Sequence, residues 1–212
     1  MFHDEIKAAT DHSHRQAEES RFIVDLMSGK SSLLGYFRYM QALAPVYKKM
    51  ESLLEERSSS TLLNYFDHRA LDRYEKIEKD LDFLAIGLNL VGDWRDEELL
   101  APTKVYLSHL DSQISDARLL AHHYIRYLGD LSGGRIIGRM MQTHYSIAPQ
   151  AMNFYDFDGV GDAVFYKRRY RDLLNLVPFT ATEKEQFLDE VVRLYQLTTA
   201  MFKELEIEFA TS

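Results

Sequence analysis

Four of the ten glycines in this chain of 212 residues, Gly129, Gly133, Gly134 and Gly138, fall inside one stretch, YLGDLSGGRIIG, whose other residues keep the apolar spacing of a helix. A glycine inside a helix costs roughly 1 kcal/mol relative to alanine, against a net domain stability of roughly 5–15 kcal/mol. A helix that keeps four of them needs a use for the space they leave. The spacings 129/133 and 134/138 are i,i+4, so two stripes of backbone are bared and something flat or bulky can approach the helix axis. Asp130 stands at the edge of that surface. Two blander uses compete: a close helix crossing, and a helix C-cap at Gly133 or Gly134.

The rest of the chain reads as helices. Leu33, Phe37, Met40, Leu43, Ala44, Tyr47, Met50 and Leu54 keep three-and-four spacing between Ser32 and Arg57, with Pro45 expected to kink that helix. Further helices fit Leu71–Leu84, Thr103–Ile114 and a segment that starts near Asp116, a plausible N-cap, and runs into the glycines. SIAPQAMNFYDFDGVGD reads as loop, followed by a helix over about Ala163–Asn175. Thr182 and Glu185 fit a capping box ahead of a long amphipathic run through Phe187, Val191, Leu194, Leu197, Met201, Leu205 and Phe209. No segment alternates as a strand does, so the class is all-α, and no composition shift divides residues 1–212 into more than one domain.

Composition then narrows the chemistry. A formal charge of −8 disfavours nucleic-acid and anionic-membrane partners, since phosphate neutralisation needs a broad basic surface. No leader pattern and no apolar run of roughly 20 residues is present, so a soluble, cytoplasmic protein is expected. With no cysteine, any metal falls to histidine or carboxylate ligands. HExxH, Glu-x-x-His, a Walker loop and GxSxG are all missing, and the glycines follow a helical pattern rather than a strand.

Three groups of residues have the spacing of a site. His14 and Glu18 are i,i+4, so the carboxylate can fix which imidazole nitrogen faces a metal, with a solvated surface pair as the alternative. His12 is a nearby competitor, and Lys7 shares the His14 face about 10 Å along the axis. Lys167 and Arg171, also i,i+4, can hold carboxylates or simply balance an acidic surface. His122 and His123 precede the glycines as ligands or as satisfied core histidines, and the core reading is the one expected.

HRQAE at 14–18, HHYIRYLGDLSGG at 122–134 and YKRRYR at 166–171, in that order and spacing, closely resemble the haem oxygenases, especially the soluble bacterial ones. FDHRALDRYEKIEKDL and MFKELE extend the resemblance over nearly the whole chain. The resemblance implies a multi-helix fold with haem, both cofactor and substrate, between a proximal helix and a glycine-kinked distal helix. It implies His14 as the iron ligand with Glu18 supporting it, and Gly129 and Gly133 against the haem face. Lys7, Tyr124, Lys167 and Arg171 fall where the family binds the propionates, and Tyr47, Arg126 and Asp130 where it anchors a distal water network. Gly134 and Gly138 are left to let the helix bend.

The implied reaction uses O2 and reducing equivalents from a reductase or ferredoxin to give biliverdin, carbon monoxide and ferrous iron in a monomeric enzyme. Asp130, acting through water, delivers the proton that makes an iron-bound hydroperoxide, which attacks a meso carbon, taken as α. One position departs from the pattern: Thr198 stands where many members carry an asparagine of the water network, which puts the water arrangement in question. The competing readings are a haem-binding or storage protein without turnover, a thiaminase-like enzyme, which lacks its cysteine here, and a structural helical module, which leaves the glycines and Asp130 unexplained.

Overall fold

The computed structural model describes residues 1–67 and 69–209; His68, in the FDHRALDR motif, and the last three residues of the expected domain lie outside them. The described residues contain nine α-helices and no strand: α1 Phe2–Glu18, α2 Arg21–Met27, α3 Leu33–Glu56, α4 Tyr74–Gly87, α5 Ala101–Asp111, α6 Asp116–Gly129, α7 Arg135–Tyr145, α8 Ala163–Leu176 and α9 Ala181–Glu208. The all-α expectation holds. A five-residue π-helical turn, Asp130–Gly134, joins α6 to α7 without a break in the helical path.

Two helices organise the rest. Helix α3 is buried on most of its circumference, from Gly35 to Leu54, and passes through Pro45 as one uninterrupted helix. Helix α9 packs on α6, α1, α5 and α2, so it joins the N-terminal helix to the glycine helix. Phe2 of α1 meets Phe179 and Phe187 with ring centroids 5.2 Å from each, which seats the start of α1 on the start of α9. The buried apolar side chains form one contiguous core.

Two expected caps move. The capping box is Thr180 with Glu183, not Thr182 with Glu185: Glu183 N donates to Thr180 Oγ at 3.2 Å and Thr180 N to Glu183 Oε2 at 2.7 Å. TATEKE fits the T-x-x-E pattern at either position, and the earlier start follows directly on Phe179, which is packed against Phe187. Helix α6 is capped by Ser115, whose Oγ accepts from Arg118 N, while Asp116 lies 3.1 Å from Arg57 Nη1. The expected loop over 146–162 carries three short 3-10 turns, at Pro149–Ala151, Asn153–Tyr155 and Asp158–Val160.

Candidate active site

The four glycines divide into two pairs with different surroundings. A Cβ added at Gly129 or Gly133 would meet nothing within 4 Å, so this pair is an open patch of backbone. A Cβ at Gly138 would lie 2.7 Å from Tyr155 Cγ, and one at Gly134 would lie 3.7 Å from Tyr155 Cδ1. The second pair is therefore a notch that receives a ring from the 149–161 loop. Close approach explains Gly138, though to a loop side chain and not to a crossing helix. A C-cap explains neither pair, because Gly129 has helical φ −61° and the helical path continues to Tyr145. The change of helical pitch falls at Asp130–Gly134, so the altered geometry sits beside the open patch.

Behind that patch lies a polar set in which Tyr47, Tyr106 and Arg126 are buried and Asp130 and Thr198 half-buried. Tyr47 Oη, from α3, donates to Asp130 Oδ2 at 2.5 Å. Burial pushes the Asp130 carboxyl up to about 6, against the pull of the Tyr47 hydrogen bond and of the nearby Arg126 and Arg73 charges. Burial also raises the Tyr47 phenol well above its ordinary value, so it stays a donor. Arg126, buried, donates from Nη2 to Thr198 Oγ at 2.8 Å and from Nε to Tyr106 Oη at 3.3 Å. The Thr198 hydroxyl in turn donates to Leu194 O at 2.8 Å. Its one proton is committed to its own helix, so it holds Arg126 as an acceptor and has no donor left for a water molecule.

His14 and Glu18 lie on one face of α1, with Nδ1 and Oε2 3.4 Å apart and the imidazole about half exposed at 49%. Tyr195 of α9 sets its ring edge-on to His14, centroids 5.5 Å apart, and so orients the imidazole from the core side. Lys7 shares the helix and is exposed. Tyr124 Oη lies 3.2 Å from His3 Nδ1, and Lys167 Nζ donates to Ser132 Oγ at 3.0 Å. Arg171 Nε is buried with no hydrogen-bond partner. Burial and the charges of Arg171 and Lys7 hold His3 below its ordinary value, and burial with Arg171 and Arg135 does the same to Lys167. Cations drawn together with an unsatisfied guanidinium N–H are the electrostatics of an anion site.

His122 and His123 are core residues. Both are fully buried, with His123 Nδ1 2.6 Å from Tyr170 Oη and His122 Nε2 2.8 Å from Glu190 Oε1. His109, His122 and Glu190 are the one cluster among the described residues with metal-ligating geometry. Its carboxylate is already engaged by both imidazoles and by Arg118 Nη1 at 2.6 Å.

Arg73 and Asp80, which the sequence does not single out as site residues, hold the 149–161 loop. Arg73 donates from Nη1 to Phe154 O at 3.2 Å and to Asp156 O, and stacks its guanidinium 4.0 Å from the Phe157 ring centroid. The buried Asp80 accepts from Asn153 N and Phe154 N, both at 2.8 Å. These bonds fix the loop that places Tyr155 in the glycine notch and Phe154 edge-on to Tyr47, ring centroids 5.7 Å apart. A signal was present: Asp80 falls between Ile77 and Leu84 at the three-and-four spacing of the buried face of α4.

The Heme oxygenase family model matches residues 1–204. This chain belongs to the haem oxygenase family. It is 32% identical to a haem oxygenase of Guillardia theta, over 97% of this chain and 86% of that protein. Among solved structures, it superposes on haem oxygenase-1 of Synechocystis sp. PCC6803, described in complex with heme, with a TM-score of 0.89 and 27% identity, covering 98% of this chain and 93% of that one. A haem oxygenase of Leptospira interrogans gives 0.88 and 28%, covering 96% and 98%. No helix among the described residues of this haem oxygenase is long and apolar enough to cross a membrane.

Proposed function

We propose that the chain binds haem between α1 and the glycine helix and opens its ring with O2 and reducing equivalents, releasing biliverdin, carbon monoxide and ferrous iron. The observation that carries this reading is the open Gly129/Gly133 backbone beside the half-buried Asp130 carboxyl, which Tyr47 holds by a hydrogen bond. The residues present fit the ligand. A planar macrocycle can lie against backbone that no Cβ covers, the Arg171 Nε–H without a partner suits a propionate, and His14 offers an accessible imidazole on a chain with no thiolate. When bound, haem supplies both the iron at which O2 is reduced and the ring that is cleaved.

The chain's own residues bind, orient and hold a proton. His14 is assigned as the iron ligand, with Glu18 and Tyr195 fixing its ring. Lys7, Tyr124, Lys167 and Arg171 take the propionates and set the rotation of the ring, taken as favouring the α meso edge. Gly129 and Gly133 keep bulky groups off the opposite face. Tyr47 occupies Asp130 Oδ2, so Oδ1 is the oxygen that carries the proton to be passed on through water. Arg126, anchored by Thr198, keeps its charge near this carboxyl and stops it rising further. Passage through water would keep the Asp130 carboxyl out of direct contact with the reacting group. A reductase or ferredoxin supplies the electrons, and the enzyme works as a cytoplasmic monomer.

Titration with haemin followed by ascorbate in air tests the reading. Loss of the haem absorption with appearance of biliverdin is expected, and haem that stays intact would make the chain a haem carrier. His14→Ala is expected to lose the nitrogen ligand and alter the ferric spectrum. An unchanged spectrum would move the ligand to another histidine such as His12. Lys7→Ala with Arg171→Ala is expected to weaken haem binding or change the biliverdin isomer, and an unchanged isomer at unchanged affinity would reduce both residues to surface charge.

A further inference from the structure

Arg126 is a buried cation whose side-chain hydrogen bonds go to two hydroxyls, Thr198 Oγ and Tyr106 Oη, and not to a carboxylate. A hydroxyl can donate or accept, so something must decide that Tyr106 offers Arg126 a lone pair and not its proton. The structure contains a continuous path that makes this decision. Tyr106 Oη lies 3.0 Å from His122 Nδ1, and His122 Nε2 lies 2.8 Å from Glu190 Oε1. We propose that Glu190, fully buried on α9, is a positioning residue for the distal pocket: through His122 and Tyr106 it fixes the direction of each hydrogen bond up to Arg126.

Burial works to raise the Glu190 carboxyl, but the bonds from His122, Arg118 and His109 hold it down at about 2, so it is ionised and can only accept. His122 must then carry its proton on Nε2. Burial keeps this imidazole neutral, which leaves Nδ1 bare. Tyr106 must donate to Nδ1, and its lone pairs are free for the Arg126 Nε–H. A neutral amide in place of the carboxylate removes the constraint: it can turn its NH2 toward His122, move the imidazole proton to Nδ1, and so turn the Tyr106 proton toward a guanidinium that has only donors. The same three groups have the composition of a metal site, yet no ion is needed to satisfy them, because each Glu190 oxygen already has a donor.

This role rests on the proposed function where turnover is concerned, but its first test uses the protein without haem. In the wild-type protein, 15N spectra are expected to show His122 protonated on Nε2 and a slowly exchanging Arg126 Nε–H. Glu190→Gln is expected to shift His122 toward the Nδ1–H form and speed Arg126 exchange, and Glu190→Asp to restore the wild-type pattern in part. Tyr106→Phe, which leaves Glu190 and His122 in place, is expected to keep the tautomer and lose the Arg126 protection; it carries the test if Glu190→Gln does not fold. With haem, Tyr106→Phe is expected to lower kcat about tenfold with haem affinity little changed, the scale of one hydrogen bond to a charged group. An unaltered His122 tautomer in folded Glu190→Gln, or unchanged Arg126 exchange in Tyr106→Phe, overturns the proposal. Failure of the wild-type protein to degrade haem would instead overturn the function and leave the 15N result standing.

Discussion

Asp130→Asn is expected to bind haem with near wild-type affinity and to form biliverdin at least about 100-fold more slowly, the usual range for removal of a general acid. The amide can still accept the Tyr47 hydroxyl bond, so the architecture of the pocket survives while the proton is gone. Near-normal turnover would remove Asp130 from the mechanism. The same variant has a stability signature. The folded carboxyl, at about 6, lies above its ordinary 3.8, so the folded state binds the proton more tightly than the unfolded chain does. Its destabilising effect is absent below about pH 4 and grows as pH rises through 6. Haem-free Asp130→Asn is therefore expected to be more stable than wild type at pH 8, by about 1–3 kcal/mol, with the gap closing toward pH 4 in denaturant titrations. A gap that does not vary with pH would mean that the carboxyl is already ionised throughout that range.

The two glycine pairs predict opposite outcomes for similar substitutions. Gly129 has helical φ and open space around its missing Cβ, so Gly129→Leu is expected to stabilise the haem-free protein by about 0.5–1 kcal/mol through helix propensity alone. The same side chain occupies the surface assigned to the macrocycle, and haem affinity is expected to fall by more than tenfold. At Gly138 the added carbon meets the Tyr155 ring, which Gly134 and the stapled loop hold in place, so Gly138→Ala is expected to destabilise by about 1–3 kcal/mol. Thermal melts and haemin titrations on the two variants separate the roles. A Gly129→Leu protein that binds haem normally would place the ligand elsewhere.

The large periodic helices and the open glycine backbone beside Asp130 were legible because each shows a signal within a few residues of chain. Tyr47 meeting Asp130 and Arg126 meeting Thr198 were reachable only through resemblance, since those pairs are 83 and 72 residues apart and nothing local links them. Glu190 was missed for a different reason. It stands in EKEQFLDEVVRL, where abundant charge suggests a solvated face, yet it lies three residues after Phe187 and four before Leu194, both buried. Position on the apolar stripe outweighed the chemistry of the neighbours. The misplaced caps fall where the chain offers two equivalent patterns in succession, and there tertiary contacts such as those of Phe179 select the start.

The π-helical turn at Asp130–Gly134 works as a shift of reading frame in three dimensions. It accommodates one more residue in a turn than an α-helix does, so every side chain from Arg135 onward is rotated by about 100° from where an unbroken α6 would have carried it. That rotation lets one continuous helix turn Gly129 toward open space and Gly138 toward Tyr155. Deleting a single residue within the turn would restore regular hydrogen bonding and improve the helix locally. It would also leave Gly138 facing Tyr155, because the missing residue cancels the rotation, so the turn adds backbone beside Asp130 without disturbing the helix faces that follow.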